Sequence, residues 1–358
     1  MNPSVFRSGL IAISLLIATS LQAQTLSDCQ PPPPLPNLKP GVNSLAFSKD
    51  GKTLVAAGSD GKIRLLDAAS GTVQRTFSGH TNAIYIAVFS PDEKLLASSS
   101  RDLSARVWDV ASGRELHKLT GFRCAVKAVA FSPDGRIVAA SGNDGMIKLW
   151  DVKSGTELQS FVHINSADID MSVYSFTFDR TGKRIYAANG DGTISEWDIA
   201  QRKETRVWKA HDRSVYQLKF NRDYSLLASS GYHDATVKLW DPSDWHEVRR
   251  MPMARAAAAF NIASTGLAFS RDGNLLAATS IGLNQKQTSY IYMQAMVWRV
   301  ENGEKLWTIE GHKFDINGLV FTRDNNLLLT GSVDQTIKFW DMKTGLETRT
   351  IPMLQSHM

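Results

Sequence analysis

The chain has 358 residues, 43% hydrophobic and 21% charged, the balance of a soluble globular protein, which excludes wholesale disorder. Forty basic residues against 35 acidic ones leave a net charge of +5, and the basic residues are scattered, with no Lys/Arg run of the length that binds nucleic acid. Two cysteines cannot build a disulfide framework or a four-thiolate zinc site.

Arg7 is followed by an apolar run over residues 9–21, thirteen residues long. That is shorter than the roughly 20 residues a spanning helix needs and suits the core of a secretory signal. The reading is a signal peptide over residues 1–23, cleaved near Ala23–Gln24. The mature chain would then be periplasmic or secreted, with no membrane span. Leu26-Ser27-Asp28 ahead of Cys29 argues against lipid attachment at that cysteine. Residues 24–41 hold six of the 12 prolines within ten positions and are expected to form an extended polyproline II arm.

From Val42 to Ile351 the chain repeats itself, with a short tail over residues 352–358. Trp-Asp occurs at Trp108-Asp109, Trp150-Asp151, Trp197-Asp198, Trp240-Asp241 and Trp340-Asp341, with degenerate copies at Leu66-Asp67 and Trp298-Arg299. Successive spacings are 42, 42, 47, 43, 58 and 42 residues. Inside each unit a first turn recurs (SKDGK, SPDEK, SPDGR, DRTGK, NRDYS, SRDGN, TRDNN). A second follows (SDGK, RDLS, NDGM, GDGT, HDAT, VDQT), missing only in the sixth unit, and then a third of the ASGT and KTGL kind. Short β-branched runs separate them. Three turns per unit imply four antiparallel strands, a to d. Seven such units predict an all-β, seven-bladed propeller, whose closed ring removes exposed sheet edges.

This period, with Trp-Asp and upstream Gly-His pairs, resembles the WD-repeat (beta-transducin-like) propeller family, as an exported bacterial member. The resemblance covers residues 42–351. It implies an in-blade hydrogen-bond tetrad of structural character: His80, Ser98, Asp102 and Trp108 in blade 2; His211, Ser230, Asp234 and Trp240 in blade 5; His312, Thr330, Asp334 and Trp340 in blade 7. Departures stand at Phe122 in blade 3, where His belongs, and at Ala187 in blade 4, where Ser belongs. Blade 1 lacks both His and Trp, and blade 6 lacks the turn Asp.

Serine, histidine and aspartate thus recur in sets, but an active site is needed once rather than once per blade. No catalytic residue, metal site or cofactor is expected. A metal at His233 with Asp168 and Asp170 is conceivable, although a solvated turn histidine explains His233 as well. Cys29 and Cys124 could pair in an oxidising compartment; a buried free thiol at Cys124 is the alternative.

The breaks in the repeat are more informative. Measured from each Asp to the next strand-a Phe, the connection is 22 residues, but 27 leading into blade 4 and 28 leading into blade 6. The second turn gains one residue in blade 5 and ten in blade 6, within IGLNQKQTSYIYMQ. Because strands alternate direction, the d-to-a connections and b-to-c turns open on one face, so every insertion lies there on blades 4 to 6. Elaborated loops on a rigid scaffold are where binding concentrates. The candidate partner-binding residues are Asp168, Asp170, His233, Met251, Met253, Phe260, Tyr290, Tyr292 and Met293. The expected function is a non-enzymatic scaffold that binds a protein or peptide partner in the cell envelope on that face. A glycan or small-ligand module is the alternative, and an enzyme at the channel mouth comes last.

Overall fold

The turns of each repeat are closed by their own side chains. In the first turn of blade 2, Ser90 Oγ donates to Asp92 (2.6 Å) and accepts from the Leu95 N–H (3.0 Å). The same hydroxyl–carboxylate pair recurs at Ser132–Asp134, Ser270–Asp272 and Thr322–Asp324. In the third turn the Asp of Trp-Asp does the closing: Asp109, Asp151 and Asp341 accept backbone N–H bonds from Ser112, Ser154 and Thr344. Such local Asx and Ser/Thr bonds fix reversals independently of the rest of the chain.

The structure, a computed structural model, describes residues 29, 40–163, 170–232, 234–253, 260–283 and 290–353. The expected signal peptide and the proline-rich arm other than Cys29 and Pro40 onward lie outside these residues, as do Asp168 and His233. Blade 1 comprises β1 (Val42–Phe47), β2 (Thr53–Gly58), β3 (Lys62–Asp67) and β4 (Val73–Ser78). Blade 2 comprises β5 (Ile84–Phe89), β6 (Leu95–Ser100), β7 (Ala105–Asp109) and β8 (Glu115–Leu119). Blade 3 comprises β9 (Val126–Phe131), β10 (Ile137–Gly142), β11 (Met146–Asp151) and β12 (Glu157–Val162). Blade 4 comprises β13 (Val173–Phe178), β14 (Arg184–Asn189), β15 (Thr193–Asp198) and β16 (Lys203–Lys209). Blade 5 comprises β17 (Val215–Phe220), β18 (Leu227–Gly231), β19 (Thr236–Trp240) and β20 (Glu247–Pro252). Blade 6 comprises β21 (Phe260–Phe269), β22 (Leu275–Leu283), β23 (Tyr290–Arg299) and β24 (Lys305–Glu310). Blade 7 comprises β25 (Ile316–Phe321), β26 (Leu327–Ser332), β27 (Thr336–Asp341) and β28 (Glu347–Pro352).

Each blade is one four-stranded antiparallel sheet in sequence order, so the fold is an all-β, seven-bladed propeller. The first strands neighbour one another around the axis, β1 against both β5 and β25. Second strands such as β2 and β10 are almost wholly buried, while fourth strands such as β12 and β28 are mostly exposed, with a single buried residue near their ends. Apolar side chains pack between blades in seven clusters, one per junction. At the seam, Val42, Leu45, Leu54 and Leu66 of blade 1 meet Leu329, Ile337, Phe339 and Ile351 of blade 7. Arg349 adds hydrogen bonds to the carbonyls of Ala69 and Ser70.

Gly192 shows why glycine serves the second turn. Its φ is +85°, and a Cβ there would lie 2.5 Å from the carbonyl oxygens of His211 and Arg213 at the start of blade 5. Cys29 and Cys124 are joined by a disulfide, which fixes one point of the N-terminal segment beside the start of blade 3. Among the described residues no helix is long and apolar enough to cross a membrane.

Candidate functional site

The buried histidines come first, because they decide whether the repeated Ser, His and Asp can do chemistry. In blade 2, His80 Nδ1 lies 2.8 Å from Asp102 and Nε2 lies 2.7 Å from Ser98 Oγ. Trp108 Nε1 donates to the same hydroxyl at 2.9 Å. Blade 7 repeats this with His312, Asp334, Thr330 and Trp340. Burial pushes the His80 and His211 imidazole pKa values down, against the pull of Asp102 and Asp234. The hydroxyls are fully buried and bonded on both sides. They act as struts, and no substrate atom reaches them.

In blade 5 the hydroxyl partner is Ser229, a correction to Ser230. His211 Nε2 and Trp240 Nε1 both bond Ser229 Oγ, at 2.8 Å each, while Ser230 Oγ is buried without a partner. Counting back from Trp240 misleads, because the extra residue of the second turn lies between the two. Counting forward from His gives a constant 18 residues (His80 to Ser98, His211 to Ser229, His312 to Thr330). In a strand, a one-residue slip turns the side chain to the opposite face.

The incomplete blades are compensated. In blade 3, Phe122 stands for His, and its ring meets Trp150 at 5.9 Å between centroids. In blade 4, Ala187 leaves Trp197 Nε1 to bond Ser195 at 2.9 Å. His163 there is ion-paired on both nitrogens, with Asp191 at 3.2 Å and Glu204 at 3.6 Å. Burial opposes its charge, but the two carboxylates prevail and raise its pKa to about 9. Asp191, held by His163 and Thr193 against its own burial, falls to about 2.

The face that carries the insertions surrounds one mouth of the axial channel. The second residue of the first strand lines it in six of the seven blades: Asn43, Tyr85, Lys127, Tyr174, Tyr216 and Asn317 bound a cavity of about 390 Å³. On blades 4 and 5 this lining becomes an aromatic row. Tyr174 stacks on Tyr216 at 4.7 Å, and Tyr216 stacks on Tyr232 at 5.4 Å. Tyr232 sits in the lengthened second turn of blade 5. On the adjoining blades 2 and 3, Lys127 Nζ lies 4.1 Å over the Tyr85 ring. Lys219 projects into the channel, where the surrounding protein holds its pKa below the usual lysine value.

Asp170 belongs to this constellation. It accepts the Tyr174 hydroxyl at 2.6 Å and the Ser172 N–H at 3.0 Å. Burial, and then the Asp170 charge, push the Tyr174 hydroxyl pKa well up. Met251 and Met253, in contrast, are core residues, 1% and 0% exposed, packed with Leu239, Met296 and Trp298. They continue the regular inward alternation of β20, so they are not part of an insertion and cannot meet a partner.

In blade 6 the described residues next to the insertions extend the sheet. Phe260 to Ala263 pair with Leu283 to Ser280, and β22 pairs with β23 out to Leu283 and Tyr290. Phe260, Tyr290, Tyr292 and the half-buried Met293 lie on this tongue rather than on a loop. Sequence reasoning passed over Tyr174, Tyr216 and Tyr232. The available signal was the aromatic second residue in VYSFTF and VYQLKF, polar-tipped and flanked by inward apolar positions.

Comparison with known proteins follows the repeats. The family model described as "WD domain, G-beta repeat" matches residues 71–109, 113–151, 202–241 and 303–341. A model of the "Anaphase-promoting complex subunit 4 WD40 domain" matches residues 22–87. The chain is similar to "Protein tipD" of Dictyostelium discoideum, 32% identical over 152 residues, which is 42% of this chain and 21% of that protein. It is similar to "Mitochondrial division protein 1" of Candida glabrata, 29% identical over 151 residues, 40% of this chain and 19% of that one. With "Nuclear distribution protein nudF" of Aspergillus oryzae it shares 29% over 140 residues, 38% of this chain and 27% of that one. The matches thus span only about a fifth to a quarter of these relatives.

Proposed function

We propose, for a chain that is a WD-repeat propeller, an exported non-enzymatic protein that holds a protein or peptide partner in the cell envelope. The partner docks on the face bearing the d-to-a connections and b-to-c turns of blades 4 to 6. The observation that carries this reading is the stacked row Tyr174–Tyr216–Tyr232 at the channel mouth, on the face where the repeat is elaborated. Aromatic side chains offer large contact area at small entropic cost and dominate interface energies. The relatives are in keeping with protein binding, since propellers of WD repeats generally mediate protein contacts. Export is supported by the signal-like start and by the Cys29–Cys124 disulfide, which an oxidising compartment favours.

The test is affinity capture from the envelope fraction of the source cell with the wild-type chain and with Tyr216→Ala/Tyr232→Ala. Loss of the captured partner at unchanged thermal stability is the expected outcome. Equal capture by both proteins moves the interface elsewhere. The same stacked rings favour one second reading, a glycan seated on them. In that case a soluble oligosaccharide would raise the melting temperature of the wild-type protein alone, and no protein would be retained.

A further inference from the structure

The opposite mouth of the channel is built by the first turns, and their second residue runs around the ring as Lys49, Pro91, Pro133, Arg180, Arg222, Arg271 and Arg323. Five of the seven are cationic, and they are consecutive: blades 4, 5, 6, 7 and 1. Lys49, Arg222, Arg271 and Arg323 share a cavity of about 530 Å³ with a single carboxylate, Asp50. Arg180 joins Arg222 and Arg271 in the adjoining cavity of about 240 Å³, with Asp223 and Asp272.

Each arginine is followed by an aspartate in blades 5 to 7, but those carboxylates are committed to their own turns. Asp223 bonds Ser225, Asp272 bonds Ser270 and Asn274, and Asp324 bonds Thr322 and Asn326. Asp50 likewise accepts from Ser48 and the Lys52 N–H. Lys49 Nζ donates to the Pro91 carbonyl, a neutral acceptor, while its backbone N–H donates to the Glu93 carboxylate. Among the described residues no ion pair within 4 Å is formed by Arg180, Arg222, Arg271 or Arg323. Arg271 has its pKa lowered by desolvation and by the neighbouring charges of Arg222 and Arg323. The folded ring thus gathers like charges that an anion would relieve.

We infer that this mouth binds a compact polyphosphate, its phosphate groups spread over the Arg222–Arg271–Arg323 arc with Lys49 and Arg180 at the ends. Guanidinium forks match phosphate oxygens bidentately. A cavity of about 530 Å³ admits a small multivalent anion and no folded domain. The arc curves around an axis over five of the seven blades, unlike the extended stripe that follows a nucleic-acid backbone. None of the large apolar side chains exposed among the described residues lies in a first turn, and the rings of Phe47, Phe89 and Phe178 that line the neighbouring cavity are buried or half-buried.

The experiment is titration calorimetry of the purified chain with tripolyphosphate at constant ionic strength. Arg222→Gln, Arg271→Gln and Arg323→Gln are measured singly and together, with Lys153→Gln on another turn as control. Each single variant should weaken binding by about 3- to 10-fold, and the triple variant by more than about 100-fold, while the control changes nothing. Wild-type affinity in the triple variant overturns the proposal, as does the absence of heat with tripolyphosphate. Binding of a Glu-rich peptide without binding of tripolyphosphate would replace it with an acidic protein partner. A phosphoinositide headgroup binding equally well free and in vesicles supports the soluble-anion form; binding in vesicles alone overturns it. Should the triple variant fail to fold, the three single variants carry the decision.

Discussion

At the residue scale, two neighbouring serines test the strut reading. Ser229 satisfies both His211 and Trp240, so Ser229→Ala leaves two buried nitrogens without a partner and should cost about 1–3 kcal/mol. Ser230 Oγ has no partner to lose, and Ser230→Ala should leave stability unchanged or slightly raised. Urea denaturation of the two variants decides, and the reverse order would return the partnership to Ser230. The buried histidines also differ in sign. His163 has a folded pKa raised to about 9, so its contribution is complete below the unfolded value near 6.5 and is lost as pH rises through 9. At about 1.4 kcal/mol per pH unit this amounts to about 3 kcal/mol at most. His80 and His211 are depressed and withdraw stability as pH falls below about 6.5. His163→Gln should therefore flatten the alkaline limb of the stability–pH profile and leave the limb below 6.5 in place. An alkaline limb of wild-type slope in that variant would assign the loss to other groups.

At the scale of elements, blade 6 couples two insertions that are separate in sequence. Beside the first insertion β21 starts early, at Phe260, and beside the second β22 and β23 run on to Leu283 and back to Tyr290. Among the described residues the first segment pairs with the second. Removing the hairpin excess alone strips Phe260 to Ala263 of their ladder, whereas removing both restores a blade of ordinary length. The single deletion should lower the melting temperature more than the double one, a non-additivity that a mutant cycle reads directly. Equal and additive losses would mean the two segments do not support each other. This pairing explains what the sequence could and could not show. Turn residues such as Ser132-Asp134 and the 42-residue spacing act locally, so seven blades were legible. The insertion count places the added residues along the chain but carries no information on what they pair with, which is a non-local property. Met251 was misread for the same reason, since residue type suggested a contact surface while its register placed it on the inner face of β20. The tyrosine row required knowing that successive first strands converge on one axis.

At the scale of the whole molecule, the ring presents chemically different mouths, aromatic on the insertion face and cationic on the other, and both depend on closure between blades 7 and 1. Each of those blades supplies its own four strands, so closure rests on the apolar cluster at the seam and on Arg349. The N-terminal segment instead is tethered at blade 3 by Cys29–Cys124, a link spanning 95 residues. A cross-link of that length removes up to about 4–5 kcal/mol of unfolded-state entropy. The effect here should be smaller, because the freed segment also gains freedom in the folded protein. Cys124→Ser combined with deletion of residues 24–39 should therefore leave one cooperative unfolding transition, shifted to lower temperature by a few degrees. Loss of cooperativity, or a chain that fails to fold, would mean that the segment completes the ring. Arg349→Ala acts on the seam and leaves the disulfide intact. It should cost more when the disulfide is absent only if the two restraints hold the same junction; independent costs are expected, because one lies at the seam and the other at blade 3.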